Sequence, residues 1–293
     1  MVAGRRTIDP AACRCYFGPM LAETQAYGLT FRFPALDEAV GACLRDHGEF
    51  ARPELDLMLA YAEGPSGALV DVGAHIGSLS LPFAAARPGW RVVAIEAFGQ
   101  LAEVVRDSAA HNGLSNVEVL SVAAGEADGV ADFPAADLSF SGNFGSLGLV
   151  INGVEGTRQV GVRPLDDIAP PDTRLVKVDV EGFEPSVLRG ARRLLREVRP
   201  LWLLETHRAA LAEREQMAAL LTPAGYRLFW FFSPFATPLA PKTAPENPGK
   251  GDLGLVALPP GAPNLWDLWP VVDLAQPPTD SEAFGYLKRY GYL

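Results

Sequence analysis

Four carboxylates stand at or near the ends of short apolar runs: Asp71 in "LVDVGAHIGSLS", Glu96 in "RVVAIEAF", Asp179 in "RLVKVDVEG" and Glu205 in "PLWLLETH". If those runs are parallel strands, the four acids meet in the crevice beyond the strands' carboxyl ends, where open parallel sheets bind ligands. An acid at a strand end also serves as a plain helix cap, but four equivalent placements favour a ligand site. Gly73 and Gly77 suit a tight strand-to-helix turn whose backbone approaches a ligand, although strand-to-helix geometry alone can also demand Gly73. A dinucleotide turn carries G-x-G-x-x-G and seats a pyrophosphate on the helix N-terminus. Here the pattern is Asp71-x-Gly73-x-x-x-Gly77, with His75 where the second glycine would stand. A carboxylate in that turn repels pyrophosphate and attracts an ammonium or a sulfonium, so the turn selects a cationic nucleoside ligand. Glu96 then has the chemistry to accept both hydrogen bonds of a ribose diol.

A second pairing concerns the chemistry itself. Asp179 and Glu181 stand two apart, as do Glu205 and His207, at the ends of what should be neighbouring strands. Such a cluster can take a proton from a hydroxyl, with Asp179, Glu181 and His207 as the candidate catalytic groups. It can also hold Mg²⁺ through hard oxygen ligands, with Asp179 and Glu205 as the candidate metal pair, though their spacing is not diagnostic of a metal site. Asp179 and Glu181 read equally as shaping the loop ahead of Pro185, and His207 is as readily an exposed loop histidine as a base. Ser141, Asn143 and Ser146 lie among glycines in a stretch that suits either a polar loop over an acceptor or ordinary surface. The aromatic run Tyr226, Phe229, Trp230, Phe231 and Phe232 reads as core strand rather than pocket wall.

These residues need elements to hold them. From Ala68 onward, short apolar runs alternate with segments of helical period, which implies a mainly parallel sheet covered by helices on both faces. After "LVKVDVEGFEP", Val187, Leu188, Ala191, Leu194, Leu195 and Val198 fall on one helical stripe, with Pro185 in its first turn. In "GQLAEVVRDSAAHNGLSN" the stripe is Leu101, Val104, Val105 and Ala109, and Asn112-Gly113 supplies the stop. The stretch before residue 60 mixes one alternating run, "YGLTFRFPA", with two of helical period and reads as a cap. After Ser233 a segment rich in proline and glycine reads as a long loop, of the kind that can cover a site, before a last strand, "LGLVALP".

The chain has 293 residues, 48% hydrophobic, and a formal net charge of -10. That size suits one large α/β domain, and that charge disfavours a nucleic-acid partner, which needs clustered Lys and Arg. The densest basic run, Arg189 to Arg199, reads as a solvated helix face. Cys13, Cys15 and Cys43 lack the spacing of a zinc site or disulfide framework and fit a reducing compartment. No apolar run suits a signal or a membrane span, so the expectation is a cytoplasmic protein without a membrane partner.

Together, "VDVGAHIGSLSLPFA", "VVAIEAF", "NVEVLSVAAGEADG", "VRPLDDI" and above all "KVDVEGFEPSVLRGARRLL" resemble FkbM-type S-adenosylmethionine-dependent methyltransferases, over roughly Glu49 to Leu258. The resemblance implies a class I methyltransferase fold: a Rossmann-like, seven-stranded, mainly parallel sheet with helices on both faces. "YRLFWFF" and "LGLVALP" would form its edge hairpin. It implies that Asp71, Gly73, His75, Gly77 and Ser78 line the methionine end of S-adenosylmethionine, and that Glu96 holds the ribose. Ala97, Phe98, Ala123 and Ala124 would flank the adenine. His75 departs from the asparagine common in that motif. The domain reading is a cap over residues 1–60, a methyltransferase domain over 61–260 and an extension over 261–293 packed on it. The function expected is methylation of a hydroxyl on a small molecule or sugar, with a homodimer as the assembly considered. The rival readings are a non-catalytic nucleoside-binding scaffold and a nicotinamide-dependent oxidoreductase.

Overall fold

The structure, a computed structural model, describes residues 21–134, 138, 141–144, 156–279 and 283–292. Cys13, Cys15 and Ser146 lie outside the described residues. The first element is a hairpin of β1 (Leu21–Ala26) and β2 (Leu29–Pro34). Its two-residue turn puts both Tyr27 (φ 54°) and Gly28 (φ 75°) in the left-handed region, which matches the twist of the flanking strands. Helix α1 (Val40–His47) follows, capped by the carboxylate of Asp37, which accepts hydrogen bonds from the Ala39 and Gly41 N–H groups, both at 2.9 Å. Helix α2 (Arg52–Tyr61) has Pro53 in its first turn, where the missing N–H costs nothing.

The alternation read from Ala68 onward becomes β3 (Ala68–Val72), α3 (Ser80–Ala86), β4 (Arg91–Ile95), α4 (Gly99–His111) and β5 (Val117–Leu120). A small sheet interrupts it: β6 (Ala123–Gly125), β7 (Gly129–Pro134) and β8 (Thr157–Pro164), in the order β6-β8-β7. The main sheet resumes through α5 (Leu165–Ile168), β9 (Thr173–Val178), α6 (Glu184–Arg189), β10 (Leu201–Thr206) and α7 (Leu211–Leu221). It closes with β11 (Arg227–Pro234), β12 (Gly251–Leu258) and the two-residue β13 (Trp269–Pro270).

The main sheet runs β13-β11-β12-β10-β9-β3-β4-β5. Neighbours from β10 to β5 are parallel, while β12, β11 and β13 pair antiparallel. This is the class I methyltransferase architecture with one short edge strand beyond the seven expected, added because Trp269 and Pro270 pair with Trp230 and Phe229. The apolar stripe of the long crossover is buried from Val187 to Leu195. Its helix is interrupted, however: α6 ends before Gly190 and a separate π-helical turn covers Leu194–Val198. A Cβ on Gly190 would lie 1.9 Å from the Gly125 carbonyl oxygen, so this close crossing of the small sheet tolerates only glycine.

Two clusters of buried apolar side chains hold the layers together. One joins the central strands to α2, α3, α6 and α7 and takes in Trp266, Phe284, Tyr286 and Tyr290 near the C-terminus. The other joins the hairpin and α1 to α4 and the small sheet. Tyr226, Phe229, Trp230, Phe231 and Phe232 are buried in the first cluster, and none lines the large cavity described below. Among the described residues, no helix is long and apolar enough to cross a membrane.

Candidate functional site

The strand order reverses between β3 and β9, since β3, β4 and β5 wind one way and β9 and β10 the other. Their carboxyl ends open on a cavity of about 320 Å³, within the range of cofactor sites. Pairing register decides which side chains reach it. Asp71 lies beside Lys177, and Val72 beside Ile95 and Val178, with Leu204 beyond, so Asp71 and Lys177 share one row and Glu96, Asp179 and Glu205 each follow the next row by one residue.

The turn after β3 is shaped by close approach. Gly73 (φ 83°) packs so tightly that a Cβ would lie 1.8 Å from the Asp179 carbonyl oxygen. The Gly73 and Ala74 N–H groups both donate to the Ile95 carbonyl, at 2.9 and 3.0 Å. His75 also adopts a left-handed backbone (φ 52°), a conformation that non-glycine residues hold only under constraint. Its N–H donates to Glu96 Oε2 at 2.8 Å, and the Phe98 N–H donates to Glu96 Oε1 at 2.8 Å. Glu96 is thus clamped between two turns and lines the cavity, each of its oxygens having a second lone pair. Ser80 Oγ donates to Asp71 Oδ2 at 2.6 Å and fixes that carboxylate.

Several buried polar atoms are left over. Asp71 Oδ1, both ring nitrogens of His75 and Glu205 Oε2 have no hydrogen-bond partner. Asp71, His75 and Glu205 all line the cavity. A buried unpaired acceptor is costly, and such atoms in a concave site mark where a ligand's donors belong.

The far end of the cavity is acidic. Lys177 Nζ lies 2.7 Å from Asp179 Oδ2, and this ion pair holds the Asp179 carboxyl down at about 2 against the opposing effect of burial. Glu205 shares a hydrogen bond with Asp179, and burial next to that anion pushes its own pKa far above the carboxylate range. It therefore carries the proton of the pair. Burial also pushes up Glu54, to about 8, and Glu96 and Asp252, each to about 7. Burial raises Asp71 and Glu181 as well and lowers His75, which keeps that ring neutral. His207 Nε2 sits 3.4 Å from Glu181 Oε2 on the cavity's exposed rim. Glu181 (φ 54°) and Gly182 (φ 91°) are both left-handed, and Glu184 stabilises this bend by accepting from the Val180 N–H at 2.9 Å. The loop-shaping role considered for Asp179 and Glu181 thus belongs to Glu184. Arg214, buried beneath the rim, donates to the carbonyls of His207 and of Arg208, the latter at 3.1 Å, and so holds the His207 loop in place.

Measured against the sequence expectations, Asp71, Gly73, His75, Ser78, Glu96, Ala97, Ala123, Ala124, Asp179, Glu181, Glu205 and His207 all line one cavity. Gly77 and Phe98 stand behind its wall. Gly77 leaves room for the side chains of Leu81 in α3 and Val105 in α4, and Phe98 stacks on Phe133 at 5.9 Å beneath the Arg158 guanidinium. For a metal, the converging set is Glu181, Glu205 and His207, whose ligand atoms all lie within 4.8 Å of one another. Glu205 belongs to it, whereas Asp179 is engaged with Lys177. Asn143 lines the cavity, and Ser141 hydrogen-bonds Glu38.

Sequence reasoning missed Lys177, Glu54 and Asp252. Lys177 carried a usable signal, as a charge inside the apolar run "LVKVDV", two residues before Asp179. Glu54 and Asp252 carried none, because each looks like an ordinary polar residue of a helix start or a strand start.

The FkbM methyltransferase domain family matches residues 71–228, more than half of the chain. Among solved structures, an FkbM methyltransferase from Methylobacillus flagellatus KT is similar, with 21% identity and a TM-score of 0.42. The match covers 66% of this chain and 44% of that one, so this chain spans less than half of that protein's length. A precorrin-6y C5,15-methyltransferase from Geobacter metallireducens GS-15 shows 16% identity, a TM-score of 0.44, and coverage of 70% and 87%. An S-adenosylmethionine-dependent O-methyltransferase from Thermotoga maritima shows 12% identity, a TM-score of 0.42, and coverage of 71% and 64%. No curated protein matches the sequence.

Proposed function

We propose, from the premise that this chain belongs to the FkbM methyltransferase family, that it moves the methyl group of S-adenosylmethionine to a hydroxyl on a small molecule or sugar. The observation that carries this reading is the unpaired Asp71 Oδ1 in an acid-lined cavity at the point where strand order reverses. The residues fit the donor. Asp71 Oδ1 is free to accept from an ammonium, and the local negative charge favours a cationic ligand over a pyrophosphate. Glu96 keeps lone pairs for a ribose diol, and Ala97, Val122, Ala123 and Phe133 form an apolar slot for a base.

When bound, S-adenosylmethionine supplies a methyl carbon activated by its sulfonium. The chain's own task is to align an acceptor and take its proton. His207, oriented through Nε2 by Glu181, is the proposed base and accepts the hydroxyl proton on Nδ1. As the oxygen–carbon bond forms, the carbon–sulfur bond breaks and its electron pair leaves with sulfur. Asp179, held anionic by Lys177, is committed to that ion pair, which leaves the proton transfer to His207.

A second reading, a divalent metal, is favoured by the convergence of Glu181, Glu205 and His207. Two carboxylates and an imidazole suit zinc or manganese better than Mg²⁺, which demands near-octahedral oxygen coordination. Activity that survives exhaustive chelation counts against any such metal. The methyl-transfer reading is tested by mass spectrometry of candidate hydroxyl acceptors incubated with isotopically labelled donor. It predicts an O-methylated product that is lost in His207→Ala. A donor left intact across neutral, cationic and anionic acceptors contradicts it and returns the scaffold reading.

A further inference from the structure

We infer that His75 binds the α-carboxylate of the methyl donor through a ring N–H, and that this contact sets which donors the site accepts. The inference rests on the reading of the cavity as an S-adenosylmethionine site. The family resemblance implies only that this turn lines the methionine end. The state of the ring itself assigns the group it meets. His75 is 8% exposed and lines the cavity, and neither of its ring nitrogens has a hydrogen-bond partner. Burial keeps the ring neutral, so it carries one N–H donor and one acceptor. A donor left unpaired at that depth is costly, and an occupant that brings an acceptor removes the cost.

The wall supplies no such acceptor. The charged groups around the ring are Asp37, Asp179 and Lys177. Asp37 is spent on the Ala39 and Gly41 N–H groups at the start of α1, while Asp179 and Lys177 are spent on each other. The backbone also fixes where the ring can go. His75 is left-handed (φ 52°), its N–H is tied to Glu96 Oε2, and the Gly77 N–H closes the turn on the Ala74 carbonyl at 2.7 Å. Glycine holds that conformation without strain, whereas histidine holds it at a cost. A strained residue whose buried polar atoms gain nothing from the protein is accounted for by a ligand.

Elimination among the donor's own groups leaves one candidate. On the methyl-transfer reading Glu96 takes the ribose, and the base lies in the apolar slot of Ala97, Val122, Ala123 and Phe133. A sulfonium accepts no hydrogen bond. The carboxylate remains, carried on the same carbon as the ammonium assigned to Asp71, which stands four residues before His75. No free cation competes for it: Lys177 is the one lysine or arginine to line the cavity among the described residues, and it is paired with Asp179. Ser78 also lines the cavity, but it is only half-buried, so water can serve its hydroxyl. The His75 nitrogens have no such recourse.

His75→Gly is the clean replacement, since it removes the ring and keeps the left-handed turn. Calorimetry on the full chain compares S-adenosylhomocysteine with the analogue that lacks only its carboxylate. Wild type is expected to bind S-adenosylhomocysteine at least about tenfold more tightly than the analogue, the size of one hydrogen bond to a charged group. In His75→Gly the two ligands should bind within about threefold of each other, with the analogue's own affinity unchanged. Wild type that binds both alike, or a preference that persists in His75→Gly, overturns the inference. If the variant does not fold, nitrogen-15 NMR of the wild-type histidine rings decides, because His75 is the one buried histidine of four. Its ring signals should move with S-adenosylhomocysteine and stay in place with the analogue; equal movement with both overturns the inference. S-adenosylhomocysteine that binds with its preference untouched in His75→Gly refutes this inference alone. If S-adenosylhomocysteine does not bind wild type, the methyl-transfer reading fails and takes this inference with it.

Discussion

Replacing Lys177 with methionine removes the buried cation that the acids of the site depend on. Its Nζ stands 2.7 Å from Asp179 Oδ2, and the two side chains are 10% and 31% exposed. At an effective dielectric near 20, a contact of that length corresponds to about 6 kcal/mol of attraction, before the desolvation of both ions is subtracted. Removing one partner of such a pair costs about 3–5 kcal/mol, because the remaining charge stays buried without compensation. The partial exposure of Asp179 puts the expectation at the lower end, about 3 kcal/mol, read from urea unfolding with an unchanged m-value. The double variant Lys177→Met/Asp179→Asn removes the stranded charge and should recover at least about 1 kcal/mol relative to Lys177→Met. Lys177→Met within about 1 kcal/mol of wild type, or strict additivity in the double variant, would refute the claim that this pair organises the site.

Gly73→Ala is expected to abolish S-adenosylhomocysteine binding, because the new Cβ would lie 1.8 Å from the Asp179 carbonyl and the backbone there is left-handed; binding within threefold of wild type would contradict the turn geometry. His207→Ala should lower the methyl-transfer rate by about 10²–10⁴-fold while leaving donor-product affinity nearly unchanged, since the proposed base touches the acceptor and not the donor. Stability should fall as pH rises from about 4.5 to about 7. Glu96 and Asp252, raised to about 7, and Glu54, raised to about 8, hold protons in the folded chain that the unfolded chain has released. The folded state then binds more protons, and each such group contributes a loss of up to about 1.4 kcal/mol per pH unit within that window. Asp179, with its carboxyl lowered to about 2, acts in the opposite sense only below about pH 4. Thermal melts that rise from pH 5 to pH 7 would reverse the assignment.

The parallel strands were legible because their apolar runs are short and continuous, and the acids at their ends were legible because each breaks such a run. Asp71, Glu96, Asp179 and Glu205 needed only chain order and the switch-point rule to be placed together. Gly77 and Phe98 were placed in the wall but stand behind it, since a motif fixes the path of the backbone more firmly than the direction of a side chain. Lys177 escaped notice because its meaning depends on register: it lies beside Asp71 only through the β3–β9 pairing. Glu54 and Asp252 reach the site from elements distant in sequence, and nothing local to either residue announces that. The break of the long crossover at Gly190 has the same origin, a contact with Gly125 that no periodicity can encode.

A calorimetric titration of the full chain with S-adenosylhomocysteine tests the central claim most directly. The account predicts saturable binding at one site per chain, weakened at least tenfold by Glu96→Ala, with no heat from NADH. No binding of S-adenosylhomocysteine, or binding of NADH in its place, would contradict it.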